Sequence, residues 1–306
     1  MRIVVVGSGG TGGYFGAKLA RAGEDVTFVA RGAHLAAIRT NGLRIRSAVD
    51  GEWTIKAHAV DALTGHDPAD IVLFCVKSFD TEAAAELLRP AVGPQTGILS
   101  LQNGVDNEDK LARLLGAEHV MGGVAYVFSN IEAPGVIAHH QLARIVFGEF
   151  DGQPSARATR LVDACQRASI KGELVPDIRK ILWEKYVFLT ALAGTTAVTR
   201  LPVKFTRDVP ATRRLWQMLI EELLALAAAE KVGLDAAIAD RFVKFLESLA
   251  PTNNSSLCQD LLQGKRLELD ALHGYAVRLG ERHHIQVPTL FAVYAALLPY
   301  INGAPS

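Results

Sequence analysis

A glycine-rich turn near the N-terminus constrains the fold more than any other feature of the sequence. The apolar run Arg2–Val6 leads into Gly7-Ser8-Gly9-Gly10-Thr11-Gly12, and a helical pattern follows. This is G-x-G-x-x-G in the strand–turn–helix context of a dinucleotide-binding unit. The first glycine allows the tight turn, Gly9 lets the backbone approach a pyrophosphate, and Gly12 lets helix and strand pack closely. We therefore expect these six residues to bind the cofactor phosphates at the helix N-terminus; the alternative is a glycine-rich turn without a ligand.

The first third of the chain alternates short apolar runs with helical stretches. Continuous apolar runs separated by helices predict a parallel sheet covered on both faces. The segment 14–22 predicts a helix, and 43–59 is irregular enough to add antiparallel strands. Residues 137–149 predict a further pair of strands. The remaining predicted strands are Asp25–Ala30, Ile71–Val76, Gly97–Leu101 and His119–Gly122.

Helical periodicity dominates beyond Pro176. Apolar residues recur every three or four positions, as expected for helices with one buried face. Asp235 is the expected N-cap of one helix, after Gly233 ends the preceding one. We therefore predict an α/β fold, with a doubly wound Rossmann sheet over residues 1–175 and an all-α domain over 176–306. The three predicted stripes are Trp216, Ile220, Leu223, Ala227; Ile238, Phe242, Phe245, Leu249; and Leu269, Leu272, Ala276, Leu279.

Charge and composition argue against several classes of partner. The 306 residues contain 32 Lys plus Arg and 32 Asp plus Glu, so the chain has no net charge and lacks the basic character of a nucleic-acid-binding protein. No apolar run approaches the roughly 18 residues of a membrane span, and no signal-peptide pattern precedes the fold. Three widely spaced cysteines fit a reducing compartment. We expect a cytoplasmic protein without nucleic-acid or membrane partners.

Neither a metal site nor an oligomeric state can be assigned from the sequence. The pairs His139-His140 and His283-His284 lack zinc-ligand spacing with a third ligand nearby, so no metal is expected. The apolar segments 191–203 and 290–301 are compatible with a homodimer through the helical domain. A buried core explains them equally well, and both alternatives stay open.

Arg31 indicates which dinucleotide binds. In an NAD site, an acidic residue at the end of the second strand accepts a hydrogen bond from the ribose 2′-OH. Here the second predicted strand ends at Ala30, and Arg31 follows without any carboxylate. A guanidinium can bind a 2′-phosphate bidentately, whereas a carboxylate would repel it. The expected cofactor is therefore NADP(H), the alternative being a solvated arginine that begins a loop.

Five segments together resemble the ketopantoate reductase (2-dehydropantoate 2-reductase) family, over nearly the whole chain. The five segments are GSGGTGGYFGAKLARAG with Arg31, CVKSFDT around Lys77, LQNGV around Asn103, WEKYVF around Lys185, and SSLCQDLLQGKRLELD from Ser255 to Asp270. The first segment is shared by many dehydrogenases, while the last three, in this order and spacing, are much more specific.

The resemblance implies a reaction and a role for each matching residue. NADPH would give a hydride to the keto carbon of 2-dehydropantoate, which forms pantoate for coenzyme A synthesis. Lys185 would donate the proton to the carbonyl oxygen, and Glu268 would contact the cofactor ribose near the active site. Lys77 and Asn103 would lie at the nicotinamide end. Ser255 and Ser256 would help to hold the substrate.

Elementary chemistry supports these roles without deciding them. Hydride addition leaves charge on the carbonyl oxygen, and a lysine can stabilise or protonate that oxygen. Lys77 and Asn103 follow predicted parallel strands, whose carboxyl ends bind ligands in doubly wound sheets. Each residue also has a structural explanation. Lys185 could extend to solvent, Lys77 could lie on the surface, Asn103 could serve a turn, and Glu268 could be a solvated carboxylate.

The chain departs from the family where the substrate binds. The family carries asparagines four and eight residues after the catalytic lysine and one after the next proline. Here those positions are Leu189, Ala193 and Val203. Positions four and eight share the lysine's face, so we expect a more apolar pocket wall. Three functions remain: 2-dehydropantoate reductase; a paralogue reducing a more apolar 2-oxo acid or ketone, or acting as an opine-type dehydrogenase; and a non-catalytic NADP(H)-binding redox sensor.

Overall fold

The computed structural model describes residues 1–305, which form two compact units. The first contains Met1–Gln102 and Asn107–Arg179. The second contains Asn103–Asp106 and the chain from Lys180 onward. The division thus lies between Arg179 and Lys180, compared with the predicted position between residues 175 and 176. The short segment Asn103–Asp106 also belongs to the second unit.

The first unit is built on a ten-stranded sheet. Its strands are β1 (Arg2–Val6), β2 (Asp25–Val29), β3 (Leu43–Ser47), β4 (Gly51–Ile55), β5 (His58–Val60), β6 (Ile71–Phe74), β7 (Gly97–Ser100), β8 (Val120–Ala133), β9 (Val136–Gly148) and β10 (Lys171–Leu174). Its helices are α1 (Gly10–Arg21), α2 (Gly32–Asn41), α3 (Thr81–Leu88), α4 (Asn107–Leu115) and α5 (Ala156–Arg167).

Strand order confirms the predicted doubly wound fold. The strands β5-β2-β1-β6-β7-β8 are adjacent in that order, and every neighbouring pair among them is parallel. This is the order of a Rossmann sheet, with the chain reversing direction across the sheet at β1. Successive residues of β1 pack into different apolar clusters, Ile3 and Val5 into one and Val4 and Val6 into the other. Both faces of the sheet are therefore covered.

Two strand predictions were wrong in the extent or number of the strands. The short strand expected over residues 119–122 is the long strand β8, and the strand pair expected over 137–149 is the single strand β9. β8 and β9 pair antiparallel around a turn at Gly135, whose φ is +76°. The distal half of β8 is partly or fully exposed, so it lacks the apolar run that identifies a buried strand. β9 continues the sheet through β3 to β4, and β10 also pairs with β9.

Other strands and helices of the first unit lie closer to their predicted positions. β3 and β4 form the antiparallel pair expected within residues 43–59, while β5 from the same segment pairs parallel with β2. Helix α1 begins at Gly10, four positions before its predicted start at Tyr14, because the glycine-rich turn itself provides the first helical residues. The glycines have low helix propensity and conceal this first turn in the sequence.

The second unit is helical, as predicted. Its helices are α6 (Ile178–Thr199, whose first two residues lie in the first unit), α7 (Val203–Asp208), α8 (Pro210–Ala229), α9 (Ile238–Ser248), α10 (Ser256–Leu262), α11 (Tyr275–His283) and α12 (Pro288–Leu297). The first and third predicted stripes are buried in one core cluster. The second stripe is partly wrong, because Phe245 is 48% exposed and Leu246 is buried in its place.

The predicted ends of two helices also need correction. α8 ends at Ala229, before Gly233, and α9 begins at Ile238 with Ala237 as its N-cap. Asp235 does not cap α9 with its side chain. Its carboxylate instead pairs with Lys180 at 2.9 Å and Arg241 at 3.1 Å, and these ion pairs hold the loop before α9.

Within residues 1–305, no helix combines the length and apolarity needed to cross a membrane. The same residues contain no cluster of three or more His, Cys, Asp or Glu side chains suited to a metal ion. Cys75, Cys165 and Cys258 are free thiols.

Candidate nucleotide-binding and catalytic site

Packing within the first unit accounts for three of the loop glycines. Gly7 has φ +95°, and a Cβ there would lie 2.7 Å from the Val76 nitrogen. A Cβ on Gly12 would overlap the Gly7 carbonyl oxygen and lie 2.9 Å from Val5 Cγ1. A Cβ on Gly10 would overlap the Ser129 carbonyl of β8, which crosses the start of α1. These positions must be glycine for the loop to pack.

Gly9 is different, because nothing in the protein requires a glycine there. Its φ is −76°, which any residue can adopt, and an added Cβ would meet no heavy atom within 4 Å. Gly9 is the N-cap of α1, which has no side-chain cap and no acidic residue in its first turn. Thr11 lies in that first turn. The free space and unneutralised helix N-terminus fit a dinucleotide pyrophosphate.

Ser8 has a structural role in this loop. Its hydroxyl donates to the Val29 carbonyl at 2.9 Å, and the residue is 3% exposed. Its own carbonyl oxygen lies 2.8 Å from Nε2 of His34 on α2. Nδ1 of His34 accepts a hydrogen bond from the Gly135 N–H at 3.0 Å, so the ring proton is on Nε2 and is donated to Ser8.

His34 therefore joins the glycine loop to the turn between β8 and β9. Burial lowers the pKa of its imidazole, which favours the neutral form that this arrangement needs. Sequence reasoning missed this residue. The available signal was a histidine three positions after Arg31, but its two partners are backbone groups of distant segments.

Arg31 lies where the sequence predicted, immediately after β2 and at the N-cap of α2. Its guanidinium is largely exposed, and Nη2 pairs with Oδ2 of Asp80 at 3.0 Å. Asp80 ends a 3₁₀ turn, Ser78–Asp80, that follows β6. β2 and β6 flank β1, so this ion pair links the two strands that neighbour the glycine loop.

Lys77 begins the same 3₁₀ turn and is half-buried. The backbone just before it, at Cys75 and Val76, packs against Gly7. The buried side chain of Gln102 donates to the Val76 carbonyl at 3.1 Å and to the Thr81 hydroxyl at 2.9 Å. Gln102 thus fixes the segment that carries Lys77, a role not predicted although the residue stands beside Asn103.

In the second unit, the segments carrying Lys185 and Glu268 pack together. Lys185 is half-buried on α6, and the hydroxyl of the next residue, Tyr186, donates to the Leu272 carbonyl at 2.6 Å. Leu272 lies in a π-helical turn, Asp270–Gly274, that closely follows Glu268. Glu268 is 6% exposed, so it is not the solvated carboxylate of the alternative explanation. π-Helical turns are frequent at functional sites.

The π-helical turn makes a second close contact with α6. His273 is fully buried, and a Cβ on Gly194 would lie 2.6 Å from its Nε2. Gly194 therefore leaves the space that the imidazole occupies. Burial lowers the pKa of His273 to about 4, so the ring is neutral near pH 7. This neutral ring fixes the position of the turn against α6.

Ser255 and Ser256 differ in their surroundings. Ser255 is buried and is the N-cap of α10, where its hydroxyl accepts from the Cys258 N–H at 3.1 Å. The same hydroxyl lies 2.7 Å from Thr196 Oγ1, which itself donates to the Leu192 carbonyl, so Ser255 is the donor of that pair. Ser256 is exposed. The proton of the Ser255 hydroxyl is thus already used within the unit.

The expected apolar pocket wall is only partly accessible. Ala193 and Val203 are both 0% exposed and belong to the helical core, whereas Leu189 is partly exposed at its edge. Ala193 and Val203, two of the three aliphatic residues at the positions of the family's asparagines, are therefore part of the core and line no accessible space. Of the three side chains, only that of Leu189 is partly exposed.

The predicted site residues divide between the two units. The glycine loop, Arg31 and Lys77 belong to the first. Asn103, Lys185, Ser255, Ser256 and Glu268 belong to the second, and Val105 of the Asn103 segment packs against its core. The first set can hold a nucleotide, and the second carries the groups suited to proton donation.

Comparison with known proteins covers both units. Residues 3–152 match the family model described as ketopantoate reductase PanE/ApbA, and residues 177–300 match that of its C-terminal part. The protein described as uncharacterized oxidoreductase YkpB of Bacillus subtilis is 30% identical over 304 residues, which cover 98% of this chain and 99% of that protein. The 2-dehydropantoate 2-reductase of Archaeoglobus fulgidus is 31% identical over 309 residues, 100% of this chain and 98% of its own.

Structural similarity extends over the same length. A crystal structure of a PanE/ApbA family ketopantoate reductase from Ralstonia eutropha JMP134 gives a TM-score of 0.91 at 34% identity. The match covers 98% of both chains. The likeness thus includes both the sheet and the helical unit.

Proposed function

Because this chain belongs to the ketopantoate reductase family of oxidoreductases, we propose that it is an NADPH-dependent reductase that converts 2-dehydropantoate to pantoate, with Lys185 as the proton donor. The observation that carries the proposal is the space around Gly9 at an uncapped helix N-terminus, with Arg31 following the neighbouring strand. The family's place in coenzyme A synthesis supports a cytoplasmic enzyme whose substrate is a small 2-oxo acid.

In this proposal, the first unit recognises the dinucleotide. The N–H groups at the start of α1 bind the pyrophosphate, and the Arg31 guanidinium binds the 2′-phosphate. Both interactions require the loop conformation that Gly7 and Gly12 permit and that His34 and Ser8 hold. Lys77, positioned through Gln102, provides a cation beyond the end of β6.

The second unit carries the proton chemistry. Bound NADPH supplies the hydride that reduces the keto carbon. The Lys185 ammonium stabilises the charge that develops on the carbonyl oxygen and then transfers its proton to it. Asn103 orients the carbonyl group by hydrogen bonding, and Glu268 holds the cofactor ribose. Ser255 and Ser256 lie at the border of the substrate site, and the hydroxyl of Ser256 is the more accessible of the two.

A second candidate substrate is a more apolar 2-oxo acid. Leu189 is partly exposed one helical turn after Lys185, where the family provides an amide. An amide that hydrogen-bonds a substrate hydroxyl selects strongly for it, whereas an aliphatic side chain does not. Loss of this amide supports a paralogue with relaxed or altered substrate choice. The third candidate, a redox sensor, has no use for a proton donor such as Lys185.

Steady-state oxidation of NADPH with a panel of 2-oxo acids tests the proposal. The panel pairs 2-dehydropantoate with apolar analogues that lack its hydroxyl, such as 3-methyl-2-oxobutanoate. A specificity constant above about 10⁵ M⁻¹s⁻¹ for 2-dehydropantoate, ordinary for a cognate substrate, supports the first candidate. A clear preference for the apolar analogues supports the second. Nucleotide binding without turnover of any panel member refutes the enzymatic function.

A further inference from the structure

We propose that Asp80 sets the cofactor preference of the nucleotide site by competing with the 2′-phosphate for Arg31. The inference rests on the proposed function, since it assumes a dinucleotide on the glycine loop. In NAD sites, the residue that selects the cofactor is a carboxylate that follows the second strand. Here Arg31 follows that strand, β2, and the carboxylate of Asp80 comes instead from the segment after β6.

The topology places this carboxylate beside the expected ribose position. Arg31 follows β2, Asp80 follows β6, and both strands pair with β1, which leads into the glycine loop. The Arg31–Asp80 ion pair therefore spans the carboxyl end of β1. In sheets of this type, the dinucleotide binds at that end, with the adenosine ribose beside the residue that follows the second strand.

The ion pair is weak enough to be displaced. Only one contact joins the two side chains, at 3.0 Å, and the side chains of Arg31 and Asp80 are 76% and 33% exposed. Exposed pairs of this kind add little stability, because water screens the charges and two flexible side chains must be ordered. A 2′-phosphate carries more charge than a carboxylate and can bind a guanidinium bidentately.

Asp80 remains near Arg31 after such displacement, because its backbone is fixed. Its N–H donates to the Lys77 carbonyl at 2.8 Å, and α3 begins at the next residue. The carboxylate then repels a 2′-phosphate through like charge. Toward a ribose 2′-OH, the same carboxylate is a hydrogen-bond acceptor, the role of the acidic residue in NAD sites. Asp80 thus weakens binding of the phosphorylated nucleotide and strengthens binding of the other.

No second cation from the first turn of α2 offsets this effect. His34, the titratable residue of that turn, hydrogen-bonds Ser8 and Gly135, and its burial favours the neutral ring. Arg39, further along α2, donates to the Ala59 carbonyl and pairs with Asp61. On the α2 side of the site, the balance between Arg31 and Asp80 therefore determines the response to the 2′ substituent.

Calorimetric titration with 2′,5′-ADP and 5′-AMP, which differ only in the 2′-phosphate, tests the inference on the whole chain. Asp80→Asn is expected to raise the affinity for 2′,5′-ADP relative to that for 5′-AMP by about two- to fivefold, a change typical of one exposed charge contact. The control is Asp67→Asn, which removes an exposed carboxylate that pairs with Arg2 at 3.2 Å near the amino end of β1. The control should leave the ratio unchanged.

An unchanged or lower ratio in Asp80→Asn overturns the inference and leaves the proposed function intact. A lower ratio would mean that Asp80 orders Arg31 for phosphate binding and does not compete with it. Wild-type protein that binds neither nucleotide overturns the proposed function itself. A change of equal size in both variants identifies a general effect of net charge and overturns the inference alone.

Discussion

The imidazole of His34 donates a hydrogen bond to the carbonyl oxygen of Ser8 at 2.8 Å. Its other nitrogen accepts from the Gly135 N–H, so one side chain connects the glycine loop, α2 and the β8–β9 turn. A neutral histidine satisfies one backbone acceptor and one backbone donor at once. The shape of the phosphate loop therefore depends on a side chain that binds backbone groups of two other segments.

Replacing His34 with alanine should destabilise the protein and weaken nucleotide binding together. The Ser8 carbonyl and the Gly135 N–H would each lose a partner, at a cost of about 1–3 kcal/mol in the free energy of unfolding. His34→Gln is the matched variant, because an amide can accept from one group and donate to the other. Urea unfolding and 2′,5′-ADP titration measure both effects. Equal losses in the two variants would show that hydrogen bonding is not the role of His34.

Alanine at position 12 should lower the stability of the protein, whereas alanine at position 9 should lower its affinity for the nucleotide. Gly12→Ala introduces a Cβ against the Gly7 carbonyl, so we expect a clear drop in melting temperature. Gly9→Ala meets no protein atom, and only the N-cap preference changes, by less than about 1 kcal/mol. Binding of 2′,5′-ADP should nevertheless fall in Gly9→Ala, because the methyl group occupies the pyrophosphate position. Unimpaired binding in a stable Gly9→Ala protein would contradict the nucleotide site.

The sequence predicted well the features that depend on local pattern. Buried runs such as Ile71–Phe74 identify the parallel strands, and the loop glycines identify the turn at Gly7. The long pair β8–β9 was not predicted, because its distal half is solvated and carries no apolar pattern. At the site, Arg31 could be found by its position after a strand. Its partner Asp80 could not, because it comes from a strand distant in sequence.

Leu189 and Val203 separate substrate selection from core packing. Leu189→Asn restores an amide at a partly exposed position, so the specificity constant for 2-dehydropantoate relative to 3-methyl-2-oxobutanoate should rise about tenfold. Val203→Asn places an amide in a fully buried position and should lower the free energy of unfolding by about 2 kcal/mol or more. Steady-state kinetics and urea unfolding measure the two outcomes. No change of substrate ratio in Leu189→Asn would remove Leu189 from the substrate site.

His273 should make the helical unit sensitive to acid. Burial lowers the pKa of its imidazole to about 4 in the folded protein, against 6.5 for a histidine in water. Its neutral form therefore contributes stability above pH 6.5, and this contribution is lost as the pH falls toward 4. The loss amounts to about 3 kcal/mol.

Urea unfolding of wild type and His273→Gln at pH 7, 5 and 4 measures this contribution. The variant has no titrating group at this position, so its stability should fall less steeply between pH 7 and 4. Comparing the free energy of unfolding of each protein with its own value at pH 7 removes any loss of stability that the substitution causes at every pH. Parallel pH dependences in the two proteins would show that His273 does not titrate in this way.

Transfer of deuterium from NADPH labelled at the reactive C4 position tests the central claim most directly. The account predicts that the 2-hydroxy acid product carries one deuterium at C2, and that Lys185→Ala lowers kcat by about 10²–10⁴-fold. Lys244→Ala, which replaces an exposed lysine of α9, should retain full activity and serves as the control. Product without deuterium at C2, or full turnover in Lys185→Ala, would contradict the account.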